Sequence, residues 1–343
     1  MTRARPAALA LLVALLALPA CGGGEGGGNG GGAGGGPDLT VYSGRNEELV
    51  GPLFERFERE SGLRVDVRYG ESAELAATLA EEGDNSPADV FFSQDAGALG
   101  AVEDRLAPLP RPVLAAVPAR FRDPRGRWAG VSGRARVIVY ATERLEDDEV
   151  PDSVFDLTAK RWRGRVGLAP TNASFQSFVS AMRLDVGEAR TREWLEGLRD
   201  NEPTRFEGNL QAVEAIGRGE VDLALVNHYY VYEVRAEDPE APVANHFARR
   251  GDPGSLVNAA GVGILRTSEE AANAARFARF LVSRPAQRYF ADTTAEYPLV
   301  AGVERRSELP PLDEVVGPGV ALGRLGGRLR STVELLDETG LTR

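Results

Sequence analysis

Residues that commonly carry out chemistry are scarce in this sequence. Cysteine occurs once in 343 residues, at Cys21, which excludes an intramolecular disulfide framework and a thiolate-based zinc site. The two histidines, His228 and His246, stand in no Ser-His-Asp or Cys-His pattern, and no Gly-rich phosphate loop follows a strand, so an enzyme is not expected. Lysine occurs once, at Lys160, and acidic residues outnumber basic ones 51 to 40, for a formal net charge of −11. Nucleic-acid binding needs clustered positive charge and is excluded on that ground. The one long apolar run, Ala7–Ala20, falls short of the roughly 20 residues that span a bilayer.

That run has a purpose of its own. Arg3 and Arg5 precede it and Cys21 follows it, the layout of a charged n-region and an apolar h-region. Residues 1–21 thus read as a signal peptide with lipobox: Leu18-Pro19-Ala20-Cys21 resembles the bacterial lipobox, which implies that Cys21 becomes the lipidated first residue once the segment before it is cleaved. Gly22–Gly36, nearly all glycine, cannot bury apolar surface and reads as a flexible tether. The expectation is an extracytoplasmic, monomeric protein anchored to the membrane by lipid.

From Asp38 onward, short apolar runs alternate with amphipathic stretches. Strands are expected at Leu39–Ser43, Leu63–Tyr69, Asp89–Ser93, Arg165–Ala169 and Leu223–Asn227. Helices are expected at Glu48–Ser61, Ala73–Glu82, Glu188–Arg199 and Leu210–Arg218, with a further one at Ser268–Val282 opened by a Thr267/Glu270 capping box. This alternation implies an α/β fold with largely parallel sheets and two lobes around a ligand cleft. The first lobe is expected to take residues 37–133 plus 260–310, and the second 134–259 plus 311–343.

Asn227-His228-Tyr229-Tyr230 is the most distinctive local feature. Neighbouring side chains of a strand face opposite ways, so adjacent tyrosines converge only in a turn or at a helix start. The apolar strand ends at Asn227, which puts the pair just past a strand's carboxyl end. On the residues alone, Tyr229, Tyr230 and Tyr232 read first as a packed aromatic cluster.

Six segments in order, LTVYSGRNEEL (39–49), PADVFFSQDAGAL (87–99), SGRARVIVY (132–140), APTNASF (169–175), GNLQAVEAIGRGEVDLALVNHYYVYE (208–233) and AEYPLV (295–300), resemble the ferric-ion-binding members of the type II periplasmic binding proteins. The resemblance implies a two-lobed binding protein that serves an ABC transporter permease and carries Fe3+ with a synergistic anion such as carbonate or phosphate. It implies phenolate ligation by Tyr229 and Tyr230, hard oxygen donors suited to a hard cation. It also implies an anion cradle at Asn172, Ala173, Ser174, Asn209 and Asn227. Where well-known members place a histidine and a glutamate ligand, this chain has Asn46 and Gln94. Tyr140 is the candidate third phenolate, with Asp95 and Tyr69 as weaker candidates, and Arg45, Arg134 and Arg136 add charge around the site. The competing expectation is the same fold binding a small oxyanion, a phosphonate or sulfate, without iron.

Overall fold

The structure is a computed structural model describing residues 36–343 apart from Val316 and Pro318. Cys21 and residues 22–35 of the tether therefore lie outside the described residues. The chain runs β1 (Leu39–Ser43), α1 (Glu47–Ser61), β2 (Val65–Tyr69), α2 (Ser72–Glu82), β3 (Val90–Ser93), α3 (Ala96–Ala101), β4 (Leu106–Ala107), α4 (Arg111–Ala116) and the long β5 (Trp128–Ala141). It continues with β6 (Val166–Leu168), α5 (Ala173–Asp185), α6 (Glu188–Asp200), β7 (Thr204–Arg205), α7 (Asn209–Gly217), β8 (Leu223–Asn227), α8 (Tyr230–Glu237) and β9 (Val243–His246). β10 (Val257–Leu265), α9 (Ala271–Leu281), α10 (Arg284–Asp292), β11 (Tyr297–Pro298), α11 (Leu312–Val315) and α12 (Gly326–Glu338) complete it.

β1 pairs in parallel with β2 and β3, and β6 with β7 and β8, the crossover pattern that the alternation of runs implies. β5 belongs to both halves of the sheet. Its first half lies antiparallel to β10, from Trp128 opposite Gly263 to Ala135 opposite Val257. Its second half lies antiparallel to β8, from Arg136 opposite Asn227 to Tyr140 opposite Leu223. One backbone therefore links the two halves, and the residues near Ala135 sit where the pairing partner changes. Within the first half, where Gly261 of β10 lies opposite Gly130, close approach needs glycine: a Cβ on Gly261 would stand 2.8 Å from the Ala129 carbonyl oxygen.

Local signals account for most element ends. α1 stops at Gly62, which adopts φ 73° and donates to the Glu58 carbonyl, a left-handed terminus. The exposed Pro52 sits within α1 without ending it. The Thr267/Glu270 box does not form. Ser268 instead donates its hydroxyl to Asp89 at 2.6 Å, and α9 begins only at Ala271. Phe54 and Phe57 of α1 pack edge-on against Phe277 of α9, with ring centroids 5.3 and 5.0 Å apart. α12 rests on both α3 and α5: Gly326 lies against Gly100, and Thr332 meets Ser180 at 2.8 Å.

Candidate functional site

The β8 strand ends at Asn227 because the next residues leave the extended region. Tyr229 has φ −72° and ψ −19°, and α8 starts at Tyr230. The two tyrosines therefore lie on a helical start and project together, with ring centroids 4.3 Å apart and planes at 33°. Tyr229 is 1% exposed and Tyr230 4%. The Tyr229 hydroxyl is buried with the Tyr230 side chain beside it but no well-formed hydrogen bond, an expensive state for a polar group in an apolar setting. Burial, reinforced by the neighbouring Tyr229, pushes the Tyr230 hydroxyl well above its ordinary pKa. A proton is therefore hard to remove here unless a strong Lewis acid replaces it.

His228 turns away from the pair. Its Nδ1 accepts the Ala135 N–H at 3.2 Å and its Nε2–H donates to the Ala295 carbonyl at 2.8 Å. Both ring nitrogens are occupied, and burial drives the ring's pKa down to about 4, so it is a neutral cross-brace. Ala295 itself has φ 54°, a left-handed conformation held by the packing around it. His246 is likewise engaged, between Asp147 at 2.9 Å and Asp152 at 3.0 Å.

Three buried arginines surround the tyrosines, with different partners. Arg45, following β1, forms a two-pronged pair with Glu296 at 2.7 and 2.9 Å, and its guanidinium lies 5.7 Å from the Tyr229 ring centroid. Glu296 also accepts from Ser132 at 3.2 Å and Thr294 at 2.8 Å. Burial alone would raise the Glu296 carboxyl, but the Arg45 charge outweighs it and holds the group below its ordinary value. Arg134 is 1% exposed, and none of its three guanidinium nitrogens is hydrogen-bonded; its nearest salt-bridge contact is Glu296, 4.0 Å from Nε. Arg136 donates to the Leu225 carbonyl at 3.4 Å and lies over Phe178 at 5.2 Å. Burial, followed by the Arg134 charge, pushes it down to about 9.

The anion-cradle residues form their own cluster. Asn172 caps α5, its Oδ1 accepting from the Ser174 N–H at 3.0 Å, the Ser174 hydroxyl at 2.6 Å and Asn209 Nδ2 at 3.1 Å. Ala173 is buried beside them in the first turn. Asn209 Oδ1 and Asn227 Nδ2 are buried without partners, leaving one acceptor and one donor for something else. Gln94 keeps an unpartnered buried Oε1, whereas Asn46 is exposed at the start of α1 and makes no side-chain cap. Asp95 caps α3 through Oδ1, which also takes the Ser177 hydroxyl, while its Oδ2 has no partner.

Tyr140 does not join the pair, which corrects the expectation of a third phenolate from β5. It shares a strand face with Arg136 but lies four residues further on, opposite Leu223 instead of Asn227, about 13 Å along the strand. Burial raises its hydroxyl, and the Asp147 and Glu146 charges beside it raise it further. Tyr69 closes β2, where burial and the charges of Glu47 and Glu48 push its hydroxyl up to about 12. Sequence reasoning missed Glu233, four residues after Tyr229 and on the same helical face. Burial pushes its carboxyl up to about 7, against the pull of Arg45, and Oε2 has no partner. The i, i+4 spacing from the tyrosine was the signal available for it.

Comparison with known proteins places this geometry. The family model described as bacterial extracellular solute-binding protein matches residues 84–314. The chain belongs to that family. It is 33% identical over 314 residues to the major ferric iron-binding protein of Neisseria meningitidis serogroup B, covering 89% of this chain and 93% of that one. It superposes on iron-bound HitA from Pseudomonas aeruginosa with a TM-score of 0.84 and 30% identity, over 88% of this chain and 99% of that one. A Trichodesmium IdiA (FutA) structure in complex with iron and citrate matches at TM-score 0.76 and 28% identity, over 88% and 99%. The fold is the two-lobed α/β arrangement of periplasmic ferric-binding proteins. These are solute-binding transport proteins, not enzymes. No helix among the described residues is long and apolar enough to cross a membrane.

Proposed function

We propose that this protein captures ferric iron outside the cytoplasm through the phenolates of Tyr229 and Tyr230, with an anion completing the coordination, and delivers it to an ABC permease. The supporting observation is the buried, adjacent tyrosine pair in which the Tyr229 hydroxyl has no partner. A core tyrosine normally finds a hydrogen bond; a phenol awaiting a cation need not. Arg134, with no hydrogen bond of its own, and Arg136 supply positive charge for the anion, while Asn209 Oδ1 and Asn227 Nδ2 supply uncommitted polar contacts. Carbonate, phosphate and citrate all fit that description.

The lobes are proposed to divide at the seam in β5, with residues 37–133 and 260–310 on one side and 134–259 on the other. The C-terminal segment, assigned by sequence to the second lobe, bridges both through α12. Cys21 is proposed to carry the lipid; a Cys21→Ser protein that stays in the membrane fraction would refute this.

The deciding experiment is ferric loading followed by visible spectroscopy. Wild type should show a phenolate-to-iron charge-transfer band. Tyr229→Phe and Tyr230→Phe should lose it and bind ferric ion about a hundredfold or more weaker, with apo stability little changed. Retained ferric binding in both variants would replace iron by the oxyanion reading, which the unpaired Arg134 favours.

A further inference from the structure

If two phenolates bind one ferric ion, a positive charge is left over, and the chain offers only neutral side chains at Asn46 and Gln94 to offset it. Glu296 is committed, both its oxygens taken by Arg45, Ser132 and Thr294. Asp95 keeps a free Oδ2, but its Oδ1 is held by the α3 cap and Ser177 and its charge answers Arg134. Glu233 sits on the same helix as the tyrosines. Its backbone N–H donates to the Tyr229 carbonyl at 3.1 Å, fixing it one helical turn beyond the pair. Helical side chains lean toward the helix N-terminus, which directs its carboxylate back toward the tyrosines.

A cavity of about 670 Å3 is lined by Tyr229, Glu233 and Asn245 together with Leu49 and Glu48. Each of the first three residues also carries a buried oxygen that lacks any donor: Tyr229 Oη, Glu233 Oε2 and Asn245 Oδ1. The Asn245 amide nitrogen is fixed on the His228 carbonyl at 2.9 Å, which leaves its oxygen as the free end. The arginine whose charge acts on Glu233, Arg45, is already bound two-pronged to Glu296. Three acceptors, two of them able to carry negative charge, make a set that suits a hard cation.

We propose that the Glu233 carboxylate is the third anionic oxygen of the ferric site, reaching the metal from the helical turn after Tyr229 and supplying the charge that the neutral Gln94 lacks. The proposal rests on the ferric reading above. Its test uses the mature protein, ferric ion presented as the nitrilotriacetate complex, and the variants Glu233→Gln, Glu233→Asp and Glu48→Gln. Glu233→Gln should weaken ferric binding about tenfold or more and shift the charge-transfer band without abolishing it, because both phenolates remain. Glu233→Asp should fall between it and wild type. Glu48→Gln, an exposed carboxylate on the same cavity, should match wild type. The apo melting temperature of Glu233→Gln should equal or exceed that of wild type, since an unpaired buried charge is removed.

Wild-type affinity and an unshifted band in Glu233→Gln would overturn the proposal. Equal losses in the Glu233 and Glu48 variants would also overturn it, by showing general attraction, as would a loss accompanied by a lower apo melting temperature. Retained iron in Tyr229→Phe and Tyr230→Phe would instead overturn the ferric reading itself.

Discussion

Arg45 and Arg134 are both buried guanidinium groups beside the same tyrosines, yet one holds Glu296 with both terminal nitrogens and the other has no hydrogen bond, only a 4.0 Å contact to the same carboxylate. The Arg45–Glu296 side closes on itself, with Ser132 and Thr294 taking up the remaining carboxylate capacity. The Arg134 charge acts on Tyr230 and on Asp95, whose Oδ2 lacks a partner. A buried charge left unpaired costs several kcal/mol, and a ligand is one way to meet it. The paired side braces the seam, and the side without hydrogen bonds is the one proposed to bind.

The comparison breaks most sharply at Glu296. Glu296→Gln strands Arg45 in the interior and should cost about 3–5 kcal/mol of stability in urea unfolding. The next largest effect belongs to His228, which braces the same seam. Its folded pKa of about 4 lies below the ordinary 6.5, so the unfolded chain binds the proton more readily between those values. Stability should be full above pH 6.5 and fall by about 3 kcal/mol as pH drops toward 4. In His228→Gln that part of the pH dependence should vanish, as read from melting curves across the window. Arg134→Met should act oppositely to Glu296→Gln: relieved of an unsatisfied charge, the apo protein should gain about 1–3 kcal/mol while ferric loading loses its response to added phosphate.

The legible parts of the molecule were those set by neighbours in sequence. The apolar run ending at Asn227 marked the end of β8, and strand geometry alone required the tyrosines to converge outside it. The Asn172 cap was equally local. Arg45 finds Glu296 251 residues away, and Ser268, beside the Thr267/Glu270 box that does not form, is tied to Asp89, 179 residues away; neither choice is visible in a window of ten or fifteen residues. The i, i+4 relation of Tyr229 to Glu233 was legible in principle. What the sequence does not carry is the burial of that carboxylate's Oε2 without a partner.

The smallest predicted effect tests register, the quantity that misled the reading of Tyr140. Alternation along β5 puts Tyr140 on the Arg136 face, and chemistry alone makes it a fair phenolate donor. Only the pairing of Arg136 with Asn227 and of Tyr140 with Leu223 shows that the two stand at opposite ends of β8. The Tyr140 hydroxyl accordingly lies among Asp147 and Glu146, whose charges would oppose its ionisation and draw any cation away from Tyr229. Tyr140→Phe should therefore leave the charge-transfer band and ferric affinity at wild-type values, and change apo stability by no more than about 0.5 kcal/mol. A lost or shifted band in this variant would mean that β5 slides against β8 when iron binds, because at the observed register no rotamer of Tyr140 bridges about 13 Å of strand.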